Sequence, residues 1–101
     1  MTRDEFIETA GLEDGTIILE PWEEFSGGIV GVTEDRCHVV YDYDRMVMSL
    51  AAAWAVEAEG RDEEQLLADA QDWVDYNTLG YMPNWDAEHR PVIINMLPEL
   101  S

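Results

Sequence analysis

From Met46 to Val56 the chain reads Met-Val-Met-Ser-Leu-Ala-Ala-Ala-Trp-Ala-Val, and Ser49 is its only polar residue. Alanine, leucine and methionine favour helix, and nothing in the run breaks one. Asp42 and Asp44 stand at its entrance, where carboxylates meet the positive end of the helix dipole. Gly60 is placed to end it in a left-handed cap. A helix that is apolar on every side has to be buried on every side. This one is too short to cross a bilayer, which takes about 20 apolar residues. The expectation is the central helix of a small soluble domain, covered on more than one side.

The chain has 101 residues, enough for one domain with one modest core. Its hydrophobic content of 47% and its four Trp argue for a folded chain. Formal net charge is −18, from 23 acidic and 5 basic residues, and the basic ones are all arginines. Charge of this size repels itself and works against the compact state. It excludes DNA, RNA or an anionic membrane as the main direct partner and permits a basic one. Cys37 is the sole cysteine, so no internal disulfide can form, and a reducing, cytoplasmic setting is expected. The N-terminus lacks an apolar signal core, so no export is expected.

In chain order, Thr2 and Glu5 have capping-box spacing. A helix from Arg3 to about Ala10 would follow and end at Gly11. Its apolar face, Phe6, Ile7 and Ala10, is thin, so residues 1–14 read as a loosely attached element. Asp14-Gly15 signals a turn. Thr16–Glu20 reads as a first strand stopped by Pro21, and Trp22–Phe25 as a partly apolar loop. Ile29–Thr33 and Cys37–Tyr41 read as two strands joined by a hairpin-length connection. Gly31 inside the first marks a bulge or a close backbone approach, with the central helix as the candidate neighbour. In the second, Cys37, Val39 and Tyr41 share one face and His38 and Val40 the other.

After Gly60, Asp62 with Gln65 three residues on resembles a second capping box. A helix from about Glu63 to Tyr76 carries Leu66, Ala70, Trp73 and Val74 on one stripe, with Asn77 as its cap. Residues 78–90 read as a loop with large apolar groups, Leu79, Tyr81, Met82 and Trp85. Val92–Met96 reads as a last strand between Pro91 and Pro98. The expected fold is a single α+β domain in the order β-β-β-α-α-β. Its antiparallel or mixed sheet would have three to four strands, packed by two helices. The central helix would lie between sheet and second helix.

Catalytic patterns are weak. Cys37 and His38 are neighbours in a strand and point to opposite faces, so they make no nucleophile-base dyad. Cys37 reads as a buried structural cysteine. Asp42-Tyr43-Asp44 lacks the spaced oxygen ligands of a calcium loop and reads as helix capping. The two histidines have no zinc spacing. No glycine-rich phosphate loop opens a helix. The sequence therefore points to a non-enzymatic protein with no metal and no cofactor.

The acidic surface is the remaining signal. Glu57, Glu59, Asp62, Glu63, Glu64, Asp69, Asp72 and Asp75 run from the end of one helix through the next, interrupted only by Arg61. Glu57 and Glu59 fall at a helix C-terminus, where negative charge is unfavourable. Like charges three or four apart on a helix destabilise it. Three readings compete. These carboxylates can imitate a phosphate row and fill the basic groove of a nucleic-acid-binding protein. The charge can serve solubility alone. Or the domain is an adaptor that makes contact through its apolar 79–85 loop, with Tyr81 and Trp85 foremost.

Tyr41–Val47, Asp72–Thr78, Ile18–Pro21 and Ile29–Thr33 resemble a group of small acidic proteins carried on bacterial mobile elements. The resemblance spans roughly Ile17 to Met96. It implies a setting: such proteins are similar in character to anti-restriction and anti-CRISPR inhibitors, several of which mimic DNA. The reading carried forward is an inhibitor of a basic nucleic-acid-binding protein of host defence.

Overall fold

A computed structural model describes residues 1–57, 60 and 62–95 of the chain. The fold is α+β, with a three-stranded mixed sheet in the order β1-β2-β3. The elements are α1 (Arg3–Ala10), a short α2 (Trp22–Phe25) running into a 3-10 turn at Ser26–Gly28, β1 (Ile29–Val32), β2 (Val39–Asp42), α3 (Tyr43–Glu57), α4 (Glu63–Trp73) and β3 (Val92–Ile94).

The capping box at the start of α1 forms as its spacing predicts. Thr2 Oγ1 accepts from the Glu5 N–H at 3.1 Å, and the Thr2 N–H donates to Glu5 Oε1 at 3.0 Å. Phe6 packs on Trp22 with ring centroids 5.5 Å apart, and Trp22 Nε1 donates to the Met1 carbonyl at 3.1 Å. The Glu13 N–H continues the attachment by donating to the Arg36 carbonyl at 3.0 Å.

Thr16–Glu20 is not a strand. The segment has no regular secondary structure; Ile18 and Leu19 are buried, but its backbone pairs with no strand of the sheet. The Ile17 N–H donates to the His89 carbonyl and the Leu19 N–H to the Tyr41 phenol oxygen, each at 3.0 Å. The order β-β-β-α-α-β is corrected accordingly. Trp22–Phe25, expected as a loop, is a helical turn that buries Phe25 in the core.

β1 and β2 form an antiparallel hairpin with Ile29 opposite Tyr41, Gly31 opposite Val40 and Val32 opposite Val39. The register slips between Ile29 and Gly31, which is the expected bulge. No atom approaches within 4 Å of a β-carbon placed at Gly31, so the close approach lies elsewhere. It lies at Gly28, where a β-carbon would sit 2.6 Å from Met46 Cγ and 3.1 Å from Met46 Cα. Glycine here lets the 3-10 turn press against the backbone of α3. β2 starts at Val39, two residues later than expected, because Asp35 ties off the turn: its Oδ1 accepts from Thr33 Oγ1 at 2.6 Å and from the Cys37 N–H at 3.0 Å. β3 pairs with β2 in parallel, Val40 with Val92 and Asp42 with Ile94, and α3 and α4 supply the crossover that parallel pairing demands.

α3 spans Tyr43–Glu57, inside the expected bounds, and Gly60 takes the left-handed φ of +85°. Asp42 caps it, Oδ2 accepting from the Arg45 N–H at 3.0 Å. Met46, Leu50, Val47 and Ala51 enter the core with Phe25, Val39, Tyr41, Leu66, Ala70 and Val74. α3 is covered on more than one side, as expected, by α2, the Ser26–Gly28 turn, β2 and α4, but its apolar surface is not buried all round. Met48 is 62% exposed and Val56 83%, and Ala52 and Ala55 are exposed too. Among the described residues, the three short strands, the Ser26–Gly28 turn and α4 leave this stripe of α3 uncovered.

α4 buries Leu66 and Ala70, and Val74 continues the stripe. Beyond Trp73 the helix widens into a π-helical stretch, Val74–Leu79, and the Gly80 N–H reaches back to the Asp75 carbonyl at 3.0 Å. Asn77 therefore does not cap the helix; its Nδ2 donates to the Trp73 carbonyl at 3.2 Å. The segment expected to be loop from Thr78 starts inside this stretch, buries Thr78 and forms another 3-10 turn at Met82–Asn84.

Candidate functional site

Asp62 is the N-cap of α4 and accepts from the Glu64 N–H at 3.2 Å. This is half a capping box, because Gln65 does not reach back; its Nε2 donates forward to Asp69 at 2.9 Å. Glu63 and Glu64 are exposed in the first turn, where the helix dipole favours them. Asp72 is exposed, Asp69 half-buried and Asp75 exposed. Asp75 accepts from the Tyr43 hydroxyl at 2.6 Å, which fastens the end of α4 to the start of α3. The ion pairs of Arg3 with Glu20 and of His89 with Asp86 involve none of Asp62, Glu63, Glu64 and Asp72. Glu57 closes α3, and Glu59 falls outside the described residues.

Helical spacing distributes these acids over two flanks. Asp69 follows Gln65 by four and Asp72 follows Asp69 by three, a single row along one side. Glu63 precedes Leu67 by four on the other side, where both line a groove against α3.

That groove is the part of the surface that sequence reasoning missed. Met48, Ala51, Ala52 and Ala55 of α3 and Glu63, Leu66 and Leu67 of α4 enclose about 570 Å³. Its signal was present in the sequence: Met48, Ala52 and Ala55 repeat at steps of four and three, one stripe of a helix with more apolar faces than neighbours to cover them.

The two aromatic contact candidates separate. Tyr81 is 57% exposed, whereas Trp85 is half-buried against the core. Tyr76, 81% exposed, lines a hollow with Tyr81 and Asp75.

Cys37 is half-buried where full burial was expected. Its thiol is pushed up, first by desolvation and then by the charges of Asp35, Glu13 and Glu88, which is the reverse of an activated nucleophile. His38 turns to the Arg90 carbonyl, 2.7 Å from Nδ1. His89 Nδ1 lies 2.5 Å from Asp86 Oδ2, and this hydrogen bond raises the imidazole and lowers the carboxyl. Among the described residues no three His, Cys, Asp or Glu side chains are gathered to hold a metal. None of the described helices is long and apolar enough to cross a membrane.

Compared with protein-family models, with curated proteins and with solved structures, the chain matches none.

Proposed function

We propose that this chain is a non-enzymatic acidic binding protein whose α4 carboxylates engage a basic nucleic-acid-binding protein in place of a nucleic acid. The observation that carries the reading is the state of Asp62, Glu63, Glu64 and Asp72. All four are exposed along a single helix with no basic side chain paired to them among the described residues, in a chain of net charge −18 that has no lysine. Exposed carboxylates are available to Arg and Lys of another protein, and charge-assisted hydrogen bonds of that kind are strong. Complementary charge also speeds encounter. The resemblance to acidic proteins of mobile elements supports a target in host defence, of the kind met by anti-CRISPR or anti-restriction inhibitors.

The test is capture of partners by the tagged chain at physiological salt, with and without excess duplex DNA. A captured nucleic-acid-binding protein that DNA displaces, and that a Glu63→Lys, Glu64→Lys, Asp72→Lys variant fails to capture, supports the reading. Capture that ignores both DNA and the three reversals overturns it.

The exposure of Tyr76 and Tyr81 favours a second reading, an adaptor that docks through the segment around residues 76–85. Tyr81→Ala would then weaken binding and moderate salt would not. Trp85→Ala does not discriminate, because Trp85 packs on the core.

A further inference from the structure

We infer that the groove between α3 and α4 is the docking site for a basic amphipathic helix of the partner, an inference that rests on the partner being basic. The floor of the groove is apolar: Met48, Ala52 and Ala55 on one wall, Leu66 and Leu67 on the other. Met48 is 62% exposed, and Val56, one residue beyond Ala55, is 83% exposed. Small alanines between larger walls leave a channel that side chains spaced at i, i+3, i+4 and i+7 can enter.

Charge selects the occupant. Glu63 lines the groove beside the end of α3. At the opposite end Asp44 is exposed four residues before Met48, on the same helical stripe. Carboxylates therefore bracket the apolar floor at both ends. From Asp44 to Ala55 the rise is about 16 Å, or three helical turns. A helix of that length with apolar side chains at its centre and Lys or Arg near each end satisfies the groove throughout. A second copy of this chain brings another −18 of charge, and an anionic membrane surface repels the same carboxylates.

The experiment uses the full chain and three labelled peptides of about five turns, read by fluorescence anisotropy. The first has Leu at i, i+3, i+4 and i+7 with Lys near both ends, the second has the same composition scrambled, and the third has Glu for every Lys. The first should bind saturably and the other two at least about tenfold more weakly. Met48→Asn and Ala55→Gln alter exposed positions, so circular dichroism and melting should match wild type. Each should weaken the first peptide by about tenfold or more. Unchanged affinity in both variants, equal binding of the scrambled peptide, or no saturable binding overturns the inference. So does a dimer in sedimentation equilibrium that Met48→Asn disperses, because the groove would then belong to a second copy. The DNA-displacement result for the captured partner is independent of these readings, so the groove and the mimicry can fail separately.

Discussion

The backbone N–H of Leu19 donates to the phenol oxygen of Tyr41 at 3.0 Å, and both residues are buried. One side chain of β2 thus satisfies a segment that has no strand partner of its own, and burial pushes the Tyr41 phenol up to about 12. Tyr41→Phe keeps the ring and leaves a buried N–H without an acceptor. The expected cost is about 1–3 kcal/mol. Urea unfolding should show a lower midpoint at unchanged slope. A midpoint equal to wild type would remove this hydrogen bond from the account of what holds Thr16–Glu20 in place.

Gly28 and Gly31 should behave oppositely. A β-carbon at Gly28 meets the Met46 backbone, which cannot swing aside, so Gly28→Ala should destabilise by about 1–3 kcal/mol or more. Gly31→Ala meets nothing within 4 Å, and its effect should stay within about 0.5 kcal/mol. Thermal melts of the two variants side by side decide this; equal effects would contradict the packing of the Ser26–Gly28 turn on α3.

Tyr43 is pushed up to about 12, first by desolvation and then by its hydrogen bond to the Asp75 carboxylate. Asp75→Asn should bring that phenol down toward 10.0, followed by NMR of the phenolic carbon through an alkaline titration. Tyr43→Phe should cost about 0.5–1 kcal/mol, the modest value of an exposed hydrogen bond. Because Asp75 is engaged within the chain, Asp72→Lys should impair partner capture more than Asp75→Asn does.

The His89–Asp86 pair makes a pH window. The raised His89 value means that its contribution is fully present below the ordinary 6.5 and is lost as pH climbs through the raised value. The lowered Asp86 value means a contribution present above the ordinary 3.8 and lost as pH falls through the lowered one. Both act together between those limits. Asp86→Asn should therefore cost more stability at about pH 5.5 than at about pH 9, and the His89 imidazole should titrate lower by NMR. A pH-independent difference would contradict the pairing.

Reversing charge on α4 should separate binding from stability. Glu64→Lys with Asp72→Lys lowers repulsion in a chain of net charge −18, so the melting temperature should rise, and most at low salt. The same variant should capture the partner poorly. A rise in stability together with a loss of binding would identify the acidic row as retained for function; a rise with binding intact would leave it a solvated surface.

Local chemistry alone determined several elements. The Thr2–Glu5 capping box, the Asp42 cap, the bulge at Gly31 and the stripe of Leu66, Ala70 and Val74 depend on neighbours within a few residues, and each is where the sequence places it. The acids of α4 were legible as a run, because charge is a property of composition. Tertiary structure alone decided the rest. Whether Thr16–Glu20 pairs as a strand depends on a free sheet edge beside it, and Tyr41 and His89 took its N–H groups instead. How much of α3 is buried depends on the area its neighbours can cover. Period and hydropathy show which faces are apolar, but not which of them finds a partner. The groove at Met48, Ala52 and Ala55 is the face left over when α4, β2 and the Ser26–Gly28 turn had taken theirs.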